Sequence, residues 1–214
     1  MKKLIFITSI ILFANNVFAK AIFVGERHAF KTIQQALLNV EDGDSVLVDA
    51  GHYHEKNIII DKTIFLIGLN HPVLDGDNKY EIISIKANGA VVDGFKLIRS
   101  GISSIEDYAG IKIYGCRDVI VRNNILEETF FGIYSQYGTN CIIENNKLTA
   151  YSKVEQESGN GIHCWKSDSM RIIANTIIGH RDGIYFEFVK NSVIWRNISE
   201  KNQRYGLHFM FSNN

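Results

Sequence analysis

The second half of the chain repeats one pattern of apolar and polar positions. A glycine followed by isoleucine or leucine recurs at spacings of 22, 29, 22 and 23 residues, at Gly110, Gly132, Gly161, Gly183 and Gly206. Eleven residues after each of the first four glycines, the chain again holds valine or isoleucine. Repeats of about 20 to 50 residues are typical of stacked architectures, because one unit cannot bury its apolar face alone. We therefore predict a solenoid with one turn per repeat.

The apolar segments inside each repeat predict strands. They are short and β-branched, as at residues 119–121 and 142–143, and asparagine or glycine follows them, which favours strands and tight corners over helices. A leucine-rich repeat has a similar period, but these columns hold isoleucine and valine where that repeat would hold leucine. The pattern predicts an all-β fold, a right-handed parallel β-helix with turns of about 22 residues.

An asparagine column accompanies the apolar columns. Asparagine lies fourteen residues after each of the first four glycines, at Asn124, Asn146, Asn175 and Asn197. Rungs of a parallel β-helix lie about 4.8 Å apart, so one asparagine per rung can hydrogen-bond to its neighbours. We therefore predict an internal asparagine ladder. Counting back 29 residues from Gly110 places an earlier turn at Glu81, with Ile82 in the column of Ile111.

Three segments depart from the repeat. Residues 99–109 and 152–158 exceed the period, and we expect both to form loops. Upstream, Thr32 and Gln35 have the spacing of a capping box at the start of a helical pattern. Because a bare solenoid end exposes apolar columns and strand edges, we expect this short N-terminal helix to cap the first rung.

The first nineteen residues have the layout of a secretory signal peptide. Lys2 and Lys3 precede the apolar run at residues 4–13, and Val17 and Ala19 place small residues before a cleavage point. The run is too short to span a bilayer, which takes about 20 apolar residues. We predict a signal peptide over residues 1–19 and one β-helix domain over residues 20–214, with an uncleaved membrane anchor as the alternative.

Charge and cysteine content narrow the class of protein. Lys+Arg and Asp+Glu number 23 each, and removal of Lys2 and Lys3 leaves 21 basic against 23 acidic side chains. This balance excludes nucleic-acid binding driven by net charge.

Three cysteines cannot form a disulfide framework, so we expect them to be small buried apolar side chains: Cys116, Cys141 and Cys164. The sequence stops eight residues after Gly206, and we expect the β-helix to be incomplete at its C-terminus.

One outward face of the predicted rungs carries candidate chemistry. Side chains alternate across a strand, so positions two and four after each glycine share a face. Position two holds Lys112, Tyr134, His163, Tyr185 and His208. Position four holds Tyr114, Gln136, Trp165, Glu187 and Met210. This face combines large aromatic rings with histidine and methionine, which suits sugar stacking, protein contact or a soft-metal site.

The metal interpretation centres on the last rung. His208 and Met210 are two residues apart on one face, about 6 to 7 Å between Cα atoms, which is close enough to chelate one Cu(I) ion. His163 lies two rungs away and would join them only after local bending. The alternative is that these side chains are surface or lateral packing residues. His52 and His54 with Glu55 form a second, weaker candidate cluster.

The remaining residues of the face are candidates for partner binding: Tyr134, Trp165, Tyr185 and Glu187. A carbohydrate-active enzyme would need carboxylates clustered across rungs, whereas Asp168, Asp182 and Glu187 are scattered in the repeat. We therefore expect no enzymatic activity. A carbohydrate-binding or carbohydrate-active β-helix is the alternative function, and an adhesive solenoid without a small ligand is a third.

Two long stretches resemble one known family. Residues 181–188, RDGIYFEF, and residues 204–213, RYGLHFMFSN, are similar to the NosD family of accessory proteins for nitrous oxide reductase. The rung GIHCW at residues 161–165 and the N-terminal signal also match that family's pattern, and the resemblance extends over essentially the whole mature chain.

The resemblance implies a fold, a location and a set of partners. It implies a right-handed parallel β-helix in the periplasm that works with an ABC transporter and is not an enzyme. It implies a role in assembling the copper–sulfur centre of nitrous oxide reductase during denitrification, with Cu(I) held transiently. The implied partners are the reductase apoprotein, the ABC transporter subunits and a copper chaperone, without nucleic acid.

Overall fold

The computed structural model describes residues 19–103, 105–151 and 154–213, so the predicted signal peptide, apart from Ala19, lies outside the described residues. In chain order, the strands of the described part are β1 (Ala21–Val24), β2 (Ser45–Val48), β3 (His52–Tyr53), β4 (Ile58–Ile60), β5 (Phe65–Gly68), β6 (Val73–Asp75), β7 (Ile83–Ile85), β8 (Val91–Asp93), β9 (Lys96–Ile98), β10 (Ala109–Tyr114), β11 (Ile120–Arg122), β12 (Ile125–Glu127), β13 (Phe131–Gln136), β14 (Ile142–Glu144), β15 (Lys147–Thr149), β16 (Ile162–Trp165), β17 (Arg171–Ile173), β18 (Thr176–Ile178), β19 (Asp182–Glu187), β20 (Val193–Trp195), β21 (Ile198–Glu200) and β22 (Tyr205–Met210). One α-helix, α1 (Ile33–Leu37), lies between β1 and β2.

The strands form three parallel sheets that coil around one core. Sheet 1 has the order β1-β2-β5-β8-β11-β14-β17-β20, sheet 2 the order β3-β6-β9-β12-β15-β18-β21, and sheet 3 the order β4-β7-β10-β13-β16-β19-β22. One strand from each sheet makes a rung, and sheet 1 passes through eight turns. The prediction of an all-β parallel β-helix is confirmed.

The register of sheet 3 follows the glycine repeat. Ile111 pairs with Ile133, and Ile162, Ile184 and Leu207 continue the column. Side chains of this column point into the core, where the first four are buried. The interior is therefore built from the apolar positions that the repeat identified.

The turn predicted to begin at Glu81 is displaced by one residue in sheet 3. Ile83, rather than Ile82, pairs with Ile111, whereas Val92 pairs with Val121 as the 29-residue spacing predicts. The corner between β7 and β8 is one residue shorter than the corner between β10 and β11, which shifts the register between the two sheets. The assignment of Ile82 to this column was wrong, although its side chain is also buried.

The asparagine ladder is confirmed. Each amide nitrogen donates to the side-chain oxygen of the next asparagine at 3.0 Å, from Asn124 to Asn146, then to Asn175 and Asn197. The same oxygens accept backbone N–H groups, and Asn124 Oδ1 accepts from Phe95 N at 2.9 Å. The ladder thereby satisfies buried backbone donors at a corner where strand pairing is interrupted.

Helix α1 lies where the capping box predicted a helix. Thr32 Oγ1 accepts from Gln35 N at 3.2 Å, and the Glu55 carboxylate accepts from Ile33 N and Gln34 N at 2.7 and 2.9 Å. These bonds satisfy N–H groups that the first helical turn leaves without partners. The role of α1 as a cap stays a prediction. In the described part of the chain, no helix has the length and apolar character of a membrane crossing.

The cysteines and loops also follow the sequence. Cys116, Cys141 and Cys164 are free and buried, and burial raises the pKa of Cys141 to about 11, which keeps its thiol protonated and unreactive. No strand lies between β9 and β10 in the described residues, as expected for a loop. In the second predicted loop, Ser152 and Lys153 lie outside the described residues, and a short 3-10 turn spans Glu155–Glu157.

Candidate functional site

Position two of the repeat forms a continuous stack along the outside of sheet 3. The Tyr134 and His163 rings lie 4.6 Å apart between centroids and are nearly parallel, and Tyr185 lies 4.7 Å beyond His163. The His208 ring follows at 4.5 Å, and Lys112 Nζ lies 4.9 Å from the Tyr134 ring centroid at the other end. Parallel pairing sets one ring on each rung at about 4.8 Å, which suits ring stacking. We call these five residues the aromatic stack.

Most of the aromatic stack is covered although it faces away from the core. Tyr134, His163 and Tyr185 are each less than 10% exposed. The Phe131 ring packs against Tyr134 at 5.3 Å and against His163 at 5.5 Å. In the last rung that the structure describes, His208 is half-buried and Met210 is exposed.

His163 is a neutral histidine held between two tyrosines. Burial lowers the pKa of His163 to about 3, and the positive charges of Arg181 and Lys112 act in the same direction. Neither ring nitrogen has a hydrogen-bond partner among the described residues, and Nε2 lies 3.8 Å from Glu187 Oε2. The Tyr185 ring separates His163 from His208. The structure thus brings His208 and Met210 onto one strand but leaves His163 apart from them, and a shared metal site remains a prediction.

A buried carboxylate fixes the His208 ring. His208 Nδ1 lies 3.1 Å from Asp182 Oδ2, and Asp182 is fully buried. Asp182 Oδ1 accepts from Tyr205 N at 3.2 Å and lies 3.5 Å from Arg204 Nε. Because a carboxylate only accepts hydrogen bonds, Nδ1 is the donor in this contact, and in the neutral ring the lone pair is then on Nε2. This is the carboxylate–histidine arrangement that orients metal ligands.

Met210 is positioned by the aromatic stack. Tyr185 Oη donates to Met210 Sδ at 3.3 Å, and Met210 pairs with Glu187 in the register of position four. Burial, followed by the negative charge of Glu187, raises the pKa of Tyr185, so its hydroxyl keeps the proton that it donates. Trp165 continues the same column one rung before Glu187 and two rungs before Met210. A thioether and an imidazole therefore lie on one strand, each oriented by a neighbouring side chain.

The sequence interpretation overlooked position five of the repeat. This corner holds Tyr137, Lys166, Phe188 and Phe211, and we call these four residues the aromatic corner. Its three aromatic residues are 40 to 73% exposed, and the Phe188 and Phe211 rings stack at 5.0 Å. All four residues adopt positive φ, between 47° and 57°. Positive φ recurs at other corners of the β-helix as well, so it is a feature of the fold and not of this corner alone. Aligning the repeats at position five was the signal that would have identified the corner.

The role of Asp182 was also overlooked. Asp182 occupies the position before Gly183 and pairs with Tyr205, the position before Gly206. It was interpreted as one of several scattered acids, although the repeat places it one rung below His208. The contact between Asp182 and His208 runs across rungs and between different columns, which linear spacing does not reveal.

The second candidate cluster has different members from those predicted. Glu55 is occupied at the start of α1, as described above, so its grouping with the two histidines was wrong. Asp75, one rung away, takes its place. One ligand atom from each of His52, His54 and Asp75 lies within 4.8 Å of the others.

Comparisons with known proteins agree with this architecture. A family described as "Right handed beta helix region" matches residues 81–214. A curated protein, "Probable ABC transporter binding protein NosD" from Pseudomonas aeruginosa, is 27% identical over 144 residues, covering 66% of this chain and 34% of that protein. This chain therefore spans about a third of that relative's length. The resemblance to NosD is confirmed.

Solved structures of a carbohydrate-active enzyme are more distant. Two forms of the pectin methylesterase from Aspergillus niger are 13% and 15% identical, with TM-scores of 0.35 and 0.29. The matches cover 91% and 90% of this chain and 85% of each enzyme chain. At these scores they carry no functional argument.

Proposed function

The chain belongs to the right-handed β-helix family, and on that premise we propose that it is a non-catalytic accessory protein for the maturation of nitrous oxide reductase. The observation that carries the proposal is the His208–Met210 pair, an imidazole and a thioether on one strand that Asp182 and Tyr185 orient. The similarity to NosD supports it, and residues 204–213, which contain this pair, resemble that family in sequence.

Copper is the cargo in this proposal. Imidazole and thioether are ligands that suit Cu(I). Asp182 holds the His208 ring with its Nε2 free, and Tyr185 orients the Met210 sulfur. Two protein ligands leave positions open on the ion for a donor or acceptor protein. The pair therefore suits transfer of copper better than its storage.

The aromatic corner is the proposed contact for a partner. Its exposed rings extend to Phe211, in the rung of Met210. Trp165 lies next to the corner, and Lys166 Nζ is 4.6 Å from the centroid of its ring. Exposed aromatic residues are enriched in the central part of protein interfaces. We propose that a copper chaperone and the reductase apoprotein dock here in the periplasm. The printed name of the relative supports an ABC transporter as a further partner.

Carbohydrate binding is the second candidate function. The specific observation in its favour is the same exposed corner, because sugars stack on aromatic rings. The two functions differ in their demands on the site. Copper transfer needs His208 and Met210, whereas sugar stacking needs Phe188 and Phe211.

The test replaces both copper ligands with side chains of similar shape. In His208→Asn with Met210→Leu, the asparagine amide can still donate to Asp182, so the melting temperature should stay nearly unchanged. Cu(I) affinity, measured by competition with a chromophoric chelator, should fall by more than about 100-fold, since outer-shell changes alone cost about 10- to 100-fold. Reductase maturation in cells should be lost.

The control is His52→Ala with His54→Ala, which should have only a mild effect on reductase maturation. Unchanged Cu(I) affinity in the His208–Met210 variant would contradict the copper proposal. Oligosaccharide binding by calorimetry that disappears in Phe188→Ala with Phe211→Ala, in a protein without Cu(I) affinity, would favour the carbohydrate function.

A further inference from the structure

A second group of potential metal ligands lies near the other end of the β-helix. His52 and His54 lie at the start of sheet 2, and Asp75 ends β6 in the next rung. β22 lies five rungs beyond β6 and belongs to sheet 3, so the group is about 24 Å along the axis from the His208–Met210 pair. The proposed copper function does not use it.

We propose that His52, His54 and Asp75 bind a divalent transition-metal ion such as Zn²⁺. Three ligand atoms, one from each residue, already lie within 4.8 Å of one another. His52 Nε2 lies 3.1 Å from Asp75 Oδ2, a hydrogen bond whose proton the bound ion would displace to solvent. Two ligands on tetrahedral Zn²⁺ with bonds of about 2.0 to 2.1 Å are about 3.3 Å apart, so this pair is close to the spacing that the ion requires.

Neighbouring side chains orient two of the ligands. His54 Nδ1 lies 3.1 Å from Asp77 Oδ1, so the carboxylate accepts from Nδ1 and, in the neutral ring, the lone pair is on Nε2. Asp75 is buried, and its Oδ1 accepts from Asp77 N and Arg99 Nε at 3.0 and 3.1 Å. Histidine ligands of metals usually donate their second N–H to such a carboxylate. Asp77 therefore has the role of an outer-shell partner for His54.

Asp75 can serve both Arg99 and a metal. Arg99 Nη2 also contacts Asp75 Oδ2, the oxygen that faces His52. A carboxylate oxygen offers two lone pairs, so Oδ2 can accept from Arg99 and bind an ion. The guanidinium also keeps the buried carboxylate in its charged form, which is the form that binds metal.

The ligands are accessible to an ion from solvent. Both histidines are exposed, and their rings stack 4.4 Å apart between centroids at an interplanar angle of 16°. His52 also lines a surface groove of about 640 Å³. Two imidazoles and one carboxylate favour Zn²⁺, Ni²⁺ or Cu²⁺ over Ca²⁺ and Mg²⁺, which prefer oxygen ligands. Three protein ligands would leave a fourth tetrahedral position for water or a ligand from a partner.

Calorimetric titration of the purified protein with Zn²⁺ tests the proposal. We expect one tight equivalent in the wild type and at least about 100-fold weaker binding in His52→Ala with His54→Ala, which removes two ligands. Asp77→Asn should weaken binding about 10- to 100-fold, because the amide no longer orients His54 as the carboxylate does. Asparagine suits the positive φ of 52° at this position, so the substitution should preserve the fold.

His28→Ala is the matched control. His28 Nε2 also lies near a carboxylate, 2.9 Å from Asp49 Oδ2, but His28 belongs to no three-ligand group in the described residues. This variant should bind Zn²⁺ like the wild type. The proposal is overturned if the wild type shows no 1:1 binding, or if the His52–His54 variant keeps wild-type affinity. An equal loss in the His28 variant also overturns it. The copper proposal is unaffected by any of these outcomes, since its ligands remain in place.

Discussion

At the scale of single residues, burial changes the chemistry of two histidines. Burial lowers the pKa of His163 to about 3 and that of His180 to about 4, from the ordinary value of 6.5. Both are therefore neutral in the folded protein at pH values where the unfolded chain would protonate them. The unfolded state binds more protons below about pH 6.5, so stability is full above that pH and falls as the pH decreases towards 4 and 3.

One substitution can assign part of the predicted pH dependence of folding stability to His163. Each neutral buried histidine contributes a slope of about 1.4 kcal/mol per pH unit within this window. His163→Phe keeps a ring between Tyr134 and Tyr185 and removes one titrating group, so the slope between pH 6 and pH 4.5 should decrease by about that amount. Denaturant unfolding at several pH values measures it.

Tyr185→Phe is the control for this experiment. It alters the adjacent ring of the aromatic stack but removes no group that titrates between pH 4.5 and 6, so its slope should equal that of the wild type. A His163→Phe protein with the wild-type slope would show that His163 is not held neutral by burial.

At the scale of strands, the glycine column allows neighbouring rungs to pack closely. A Cβ added at Gly132 would lie closer than real contacts allow to Leu148 Cδ2 and to the Gly161 carbonyl oxygen. The same Cβ at Gly206 would lie 3.3 Å from Ser199 O, with no closer atom. The column is therefore a packing requirement wherever the next rung lies against it.

Alanine substitutions test this requirement. Gly132→Ala should lower the free energy of unfolding by about 1 to 3 kcal/mol, the usual cost of overpacking. Gly206→Ala is the matched control in the same column and should cost about 0.5 kcal/mol or less. If urea unfolding shows that both variants lose the same free energy of unfolding, the glycines are needed for a reason other than the close approach of neighbouring rungs.

At the scale of the whole molecule, burial differs between the stacked rungs and the loops that leave them. Ile133 and Ile162 are fully buried in the apolar column of sheet 3, whereas Ile102 and Ile105, in the loop between β9 and β10, are 56% and 89% exposed. Each rung of a solenoid is stabilised mainly by its immediate neighbours. Local stability should therefore differ between the rungs and this loop.

Amide hydrogen exchange measured by mass spectrometry tests this difference. Peptides from β13 and β16 should exchange far more slowly than peptides from the loop between β9 and β10, because these strands are paired with neighbouring rungs on both sides. Uniform protection across these segments would contradict the prediction.

The sequence by itself determined the repeat and which residues lie in one column on neighbouring rungs. The isoleucines Ile111, Ile133 and Ile162 recur once per turn, as do the asparagines fourteen residues after each of the first four glycines. Parallel pairing converts that period directly into columns. The same logic placed Tyr134 and His163 in one column before any contact was known. Local period is sufficient for these features because neighbouring rungs pair residue by residue.

Only the tertiary structure decided which columns meet and which side chains are covered. The one-residue difference at the corner after β7 shifts one sheet against another, and the period could not reveal it. Phe131 covers the aromatic stack, Asp182 reaches His208, and Asp75 replaces Glu55 beside His52. These contacts join different columns or different rungs, so they depend on corner geometry and side-chain conformation. Those properties arise only when the chain is coiled, because they are set by neighbours that are distant in sequence.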